Sequence, residues 1–244
     1  MCVAAIAWHA HPRWRLVIAA NRNEYHDRPA APLARWADGS GIIAGQDLSA
    51  GGTWLGLIEA GRLALVTNFR VDGYPLPGRP SRGALVTDVL TGTAPDSLPQ
   101  PSYNPFNLLL IEGGSASFLT NHPQPQRRAL TPGVHGISNG ALDAPWLKTR
   151  RLSTALGAWL DGAGEDPAPL FDALTDPTPT TTELTAEGPM PRFSAIFVND
   201  PDYGTRCSTV IAIDHSGAGH VIERSFTPAG KVSGETALAF AWPA

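Results

Sequence analysis

Apolar runs of strand length, recurring along the chain and separated by turn residues, constrain this fold more than any other feature. Cys2–Trp8 and Arg15–Asn21 flank a segment containing Pro12 and read as a hairpin. Trp54–Ile58 with Leu63–Asn68, around Gly61, form a second pair, and Phe106–Ile111 with Ser115–Thr120, around Gly113-Gly114, form a third. Phe193–Asn199, Arg206–Ile213, His220–Phe226 and Ala237–Trp242 end the chain as a β-rich block. Several of these runs are apolar at successive positions instead of alternating, the pattern of strands covered on both faces. Helical spacing is rarer. Ser81 is the expected N-cap of a helix reaching Leu90, a second helix is expected from Pro145 to Leu160, and a third over Ala168–Leu174. The Pro-rich stretches 93–105 and 175–192 read as loops. Strands with grouped helices predict a layered α+β fold.

The chain has 244 residues, and the expectation is one domain over 1–244. A formal net charge of −4 argues against nucleic acid as a partner, because such partners select a basic face. The basic residues are almost all arginine; the lysines are Lys148 and Lys231. No run approaches the ~18 apolar residues of a membrane helix. The run Val3–Trp8 is too short for a signal peptide and no basic segment precedes it, so a cytoplasmic setting is expected. Two cysteines in such a setting do not indicate a disulfide framework. Dinucleotide and phosphate-binding glycine loops, the G-x-S-x-G elbow and paired C-x-x-C motifs are absent. His9 and His11 are spaced like metal ligands, but Pro12 follows and no third ligand is evident, so no metal is expected.

Position 2 is where chemistry enters. Removal of Met1 ahead of a small side chain exposes Cys2 as the N-terminus, placing a thiol and an α-amine on one residue. An α-amine with a pKa near ~7.7–8.0 accepts protons at neutral pH and can serve as base for the adjacent thiol. The alternative reading is a small buried residue opening the first strand. Polar residues stand at the ends of the apolar runs: Arg22, Asn68, Asn121 and Arg206. Strand ends feed loop-rimmed clefts. There an asparagine amide can donate to an oxyanion, and an arginine can favour a thiolate.

The run Ala20-Asn21-Arg22-Asn23-Glu24, followed by Arg28-Pro29, resembles the N-R-D-E signature of the NRDE family, also called the transport and Golgi organisation protein 2 family. Further blocks continue in that family's order: Ala44-Gly45-Gln46-Asp47-Leu48, Gly51–Gly56, Leu65–Arg70, Ser81-Arg82-Gly83 and Thr120-Asn121-His122-Pro123. So do Gly136-Ile137-Ser138-Asn139-Gly140, Pro145-Trp146-Leu147-Lys148 and Tyr203-Gly204-Thr205-Arg206, so the resemblance covers about positions 2 to 213. Asn23 departs from the signature, which has Asp there. That removes a charge beside Arg22, and Glu24 is the retained carboxylate.

The family is similar to N-terminal nucleophile (Ntn) hydrolases of the choloylglycine hydrolase and penicillin V acylase group. The resemblance implies a four-layer αββα sandwich, Cys2 as nucleophile with its α-amine as base, and Arg22 beside the thiol. It further implies an oxyanion contact from Asn121, a second from Asn68, and Arg206 as a late active-site arginine. Glu24, Asp47, Arg70 and Asn139 are the expected substrate contacts, Asp47 as the residue that orients the N-terminus. The expected activity is hydrolysis or acyl transfer on a linear amide or thioester, with no cofactor. A rival from another class is a carrier for haem or an acyl-lipid, in which Cys2 ligates iron and Arg70, Arg79 and Arg82 meet acidic groups. Strand alternation also predicts that Cys207 points away from Arg206, so that no Cys2–Cys207 disulfide forms.

Overall fold

The computed structural model describes residues 2–162, 164–181 and 190–243. In chain order the strands are β1 (Val3–Trp8), β2 (Trp14–Tyr25), β3 (Ala30–Arg35), β4 (Ile42–Asp47), β5 (Leu55–Ile58) and β6 (Arg62–Asn68). They continue as β7 (Phe106–Glu112), β8 (Ser115–Thr120), β9 (Gln126–Ala129), β10 (Gly133–Ile137), β11 (Tyr203–Asp214), β12 (Ala218–Phe226) and β13 (Val232–Ala241). The helices are α1 (Gly83–Leu90), α2 (Leu147–Asp161) and α3 (Ala168–Leu174).

Two compact units divide these elements, the first comprising 1–27 and 132–241 and the second 28–131 and 242–244. The first unit holds a six-stranded antiparallel sheet in the order β10-β1-β2-β11-β12-β13. One face of that sheet is covered by α2 and α3. Val3, Ala5, Ala7, Val17, Ala19, Val210 and Ala212 pack there on Leu152, Leu156, Leu170 and Phe171. The small residues of β1 let α2 approach closely. Gly136 of β10 has the same cause: a Cβ there would lie 2.3 Å from Thr149 Cγ2 and 2.8 Å from Ser153 Oγ.

The second unit is a seven-stranded antiparallel sheet, β3 to β9 in sequence order, a meander. Helix α1 lies against β4–β7 and buries Leu85, Val86, Val89 and Leu90, the side expected from the spacing. Its N-cap position is Arg82; the Ser81 hydroxyl still accepts a hydrogen bond from Gly83 N at 3.3 Å.

All three expected hairpins form. The expected strand Phe193–Asn199 does not: the segment begins in a 3-10 turn and contributes one isolated bridge, Asn199 to Gly204. Its burial is real, since Ile196, Phe197 and Val198 are in the core. Its backbone, however, is satisfied by side chains and by a distant loop. Asn21 Nδ2 donates to Ile196 O, Thr205 Oγ1 accepts from Val198 N, and Phe197 N donates to Asp176 O. The loop reading over 175–192 falls partly on 182–189, outside the described residues, while 93–105 carries two 3-10 turns. No helix among the described residues is long and apolar enough to cross a membrane.

Candidate active site

The register of the first unit's sheet sets three side chains in a row. Val3 pairs with Asn21 and Cys207 pairs with Arg22. Continuing the first pairing by one place brings Cys2 beside Arg22, so Arg22 stands between two cysteines on adjacent strands. Val3, Ala19 and Val210 face the helices, so by alternation Cys2, Arg22 and Cys207 face the opposite side of the sheet. Arg22 and Cys207 are each 8 % exposed, and Cys2 is half-buried.

The expected orientation of Cys207 is corrected by a β-bulge. Register shifts between Thr205 and Cys207 make Arg206 the inserted residue, and the alternation restarts with Cys207 on the face of Arg22. Arg206 Nη1 donates to the carbonyls of Tyr25 (2.8 Å) and His26 (3.2 Å), which fixes the end of β2. Both cysteines are free thiols. They lie two strands apart, roughly 9–10 Å at the usual strand spacing, beyond the ~7 Å a disulfide spans. Distance along the row keeps them apart, not opposite faces. Burial pushes the Cys207 thiol well above its ordinary range; neighbouring Glu223 and Cys2 add to this, and Arg22 opposes it.

Glu24 lies two residues beyond Arg22 on the same face, with Oε2 3.7 Å from Arg22 Nη2 and Oε1 accepting from Tyr25 N. On the far side of β1, Ser138 Oγ donates to the Cys2 carbonyl at 2.7 Å. Asn139, next in sequence and 2 % exposed, lies within 3.3 Å of the same hydroxyl. Cys2 is therefore held through its own backbone, next to Arg22 and close to Asn139.

One residue near Cys2 was not expected. Lys148, in the first turn of α2, is fully buried. Burial lowers its pKa to about 8, while the charge of the Cys2 thiolate acts to raise it. Two signals in the sequence pointed to it: it is one of two lysines among arginines, and it places a cation at a helix N-terminus, where the dipole disfavours one.

The remaining expected residues belong to the second unit. Asn121 does not have the free amide that an oxyanion donor needs. Its Nδ2 donates to the carbonyls of Gln100 and Tyr103, at 3.1 and 3.3 Å, and its Oδ1 accepts from Phe106 N. It clamps the loop that leads into β7. Asp47 is likewise a local organiser: it pairs with Arg28 Nε at 2.8 Å and caps the amides of Ser49 and Ala50. Asn68 is exposed at the end of β6, opposite Phe106, and Arg70 follows it. Arg79 donates to the carbonyls of Pro101 and Ser102, and Arg82 to that of Pro105.

With this geometry established, the chain can be compared with known proteins. Residues 1–228 match the family described as Transport and Golgi organisation 2. The chain belongs to that family. It is 31 % identical to the human Transport and Golgi organization protein 2 homolog, over 92 % of this chain and 93 % of that one. The Drosophila melanogaster Transport and Golgi organization protein 2 is 24 % identical, over 93 % of each. Among solved structures, this family member is similar to a Caenorhabditis elegans N-acylethanolamine-hydrolyzing acid amidase ortholog. The TM-score is 0.50 at 11 % identity, over 86 % of this chain and 92 % of that one. It is also similar to a mutant conjugated bile acid hydrolase from Clostridium perfringens, with a TM-score of 0.52 at 9 % identity, over 98 % and 92 %. At such identities the likeness shows the fold, which is that of the Ntn hydrolases, the α+β, αββα class expected from the sequence.

Proposed function

We propose that this protein is an N-terminal-cysteine amidohydrolase or acyltransferase acting on a small linear amide or thioester. The observation that carries the reading is the row Cys2–Arg22–Cys207, in which a buried guanidinium lies beside a half-buried thiol at the end of β1. Once Met1 is removed, Cys2 attacks the carbonyl and its α-amine moves the proton from thiol to leaving group. Arg22, steadied by Glu24, favours the thiolate and orients the acyl group. Asn139 contacts the substrate beside Cys2. The fold relatives named for hydrolysing N-acylethanolamines and conjugated bile acids support an amide as substrate. Those bile acid hydrolase structures include a cysteine-to-alanine variant and an arginine-to-leucine variant.

The test is a panel of acyl amides and thioesters. Wild type is expected to turn over at least one and to show an acyl adduct on Cys2 by mass spectrometry. Cys2→Ala should show neither. Full retention of Met1 in the active protein would remove the α-amine as base. Saturable haemin binding that is lost in Cys2→Ala, with no turnover across the panel, would favour the carrier reading instead. The engagement of Arg79 and Arg82 with backbone carbonyls speaks against that reading.

A further inference from the structure

Cys2 stands one residue ahead of regular structure. Strand β1 opens at Val3, and on its β10 side the register runs from Trp8 opposite Gly133 to Ala4 opposite Ile137, where it stops. A chain end beyond its last ladder pair frays unless something ties it down. Here a side chain supplies a tie. Ser138, the first residue after β10, is buried, and its hydroxyl donates to the Cys2 carbonyl at 2.7 Å. The same hydroxyl lies 3.3 Å from Asn139 Oδ1, the longer of the two contacts.

The segment that presents Ser138 is itself fixed at both ends. Gly136 N donates to Asp143 Oδ1 and Asp143 N donates to Gly136 O, both at 2.8 Å, which closes the loop 137–142 on its own base. Within that loop Gly140 packs flat on Trp146, where a Cβ would lie 2.8 Å from Trp146 Cζ2. The Ser138 hydroxyl is thus held by a supported backbone, as a group that must set a geometry requires. A peptide unit is planar and rigid, so a bond to its oxygen fixes where the Cys2 Cα lies. Both the thiol and the α-amine leave from that atom.

We propose that Ser138 is the positioning residue of the Cys2 nucleophile: its hydroxyl holds the Cys2–Val3 peptide so that the thiol stays beside Arg22. The hold matters most in the mature chain, because loss of Met1 removes the peptide bond on the other side of Cys2. Ser138 acts on substrate only through Cys2. The proposal rests on the reading of Cys2 as nucleophile, yet part of its test needs no substrate.

The first measurement is alkylation of Cys2 by iodoacetamide at neutral pH, read by peptide mass spectrometry on the full chain. Two roles for Ser138 predict opposite signs. If the hydroxyl only stops the strand end from fraying, Ser138→Ala uncovers a half-buried thiol and alkylation speeds up. If it keeps the thiol beside the Arg22 guanidinium, Ser138→Ala loses thiolate character and alkylation slows by about threefold or more. The second measurement is turnover of whichever acyl amide or thioester wild type accepts. Ser138→Ala should lower kcat by about 10–100-fold with KM nearly unchanged, the cost of displacing a reacting atom by up to about 1 Å. Ser138→Thr, which keeps the hydroxyl, should restore both rates. An Ala variant that melts like wild type and alkylates as fast or faster would overturn the proposal, as would a loss that Thr does not rescue. Should Ser138→Ala fail to fold, Ser138→Cys takes its place, since it keeps the size and weakens the donor, and the same outcomes decide. Slowed alkylation with no turnover by wild type keeps the positioning of the thiol and removes the hydrolase reading. An acyl-Cys2 adduct in wild type, with alkylation and kcat unchanged in Ser138→Ala, does the reverse.

Discussion

Replacing Lys148 by methionine removes a buried charge while nearly preserving side-chain length, so its effect on stability can be worked out in advance. Burial, partly offset by the Cys2 thiolate, has brought the Lys148 pKa from 10.5 down to about 8. That drop corresponds to roughly 3 kcal/mol against the charged form in the folded state. Below pH 8 the lysine is protonated both folded and unfolded, and the native state carries the whole penalty. Between about 8 and 10.5 the unfolded chain binds the extra proton, so stability rises with pH through this window. Methionine has no such step. It does leave the Phe193 carbonyl without its donor, a loss of about 1–3 kcal/mol that is the same at every pH.

The difference between wild type and Lys148→Met should therefore change with pH in one direction. From pH 7 to pH 9 wild type should gain roughly 1 kcal/mol on the variant. Cys207, whose thiol titrates well above its ordinary value, works the other way at alkaline pH, since the unfolded chain loses that proton first. Both proteins share that contribution, so it drops out of the comparison. Urea denaturation at pH 7, 8 and 9, with midpoints converted at a common slope, measures the difference. A difference that stays constant over this range, or one in which wild type loses ground as pH rises, would refute the assignment of Lys148 as a buried, depressed lysine.

Gly136→Ala should lower stability by about 1–3 kcal/mol, because the added Cβ meets Thr149 and Ser153 where α2 sits on β10; an unchanged melting temperature would show that the helix can yield there. Asn121→Ala should cost about 1–3 kcal/mol through the unpaired Phe106 N–H and loop carbonyls. It should keep turnover within a few-fold at temperatures where it remains folded, whereas a drop of about 10²–10³ would restore Asn121 as an oxyanion donor. His220 has its pKa lowered by burial and by Arg13, so its neutral form stabilises the fold, and that contribution is lost as pH falls below its ordinary 6.5. His220→Gln should flatten the decline in melting temperature between about pH 6.5 and 5, and an unaltered acid limb would count against it.

Much of the fold was legible because its strands are apolar on both faces and end at turn residues, as in the hairpins β1–β2, β5–β6 and β7–β8. Strands β3 and β9 escaped notice for the opposite reason: they are largely exposed and carry no apolar alternation. The apolar run Phe193–Asn199 predicts a strand, but its hydrogen bonds go to Asn21, Thr205 and Asp176 instead of to a neighbouring ladder. In the candidate site, Cys2, Arg22 and Glu24 stand out from local spacing and family pattern. Cys207 was misplaced because the bulge at Arg206 resets alternation, and a single inserted residue leaves no mark in composition. The burial of Lys148 follows from α2 packing on β1 and β10, a long-range arrangement that its own stretch of sequence does not report.

The departure from the family signature at position 23 acquires a physical meaning from the same alternation. Asn23 is 3 % exposed and lies on the helix-covered side, with Oδ1 accepting from Thr205 Oγ1 at 2.8 Å and its carbonyl accepting from Tyr203 Oη. Arg22 and Glu24 lie on the other side, where Glu24 Oε2 approaches Arg22 Nη2. A carboxylate at position 23 would therefore sit across the strand from Arg22, buried against a hydroxyl, and its desolvation would cost several kcal/mol unless a cation accompanied it. Asparagine keeps the hydrogen bond to Thr205 without that penalty. The charge lost from the signature is one the Cys2 face does not use, because the carboxylate that reaches the guanidinium is Glu24. Exchanging the two roles by placing Asp at 23 and Gln at 24 should thus weaken both the fold and the hold on Arg22, although the net charge of the motif is unchanged.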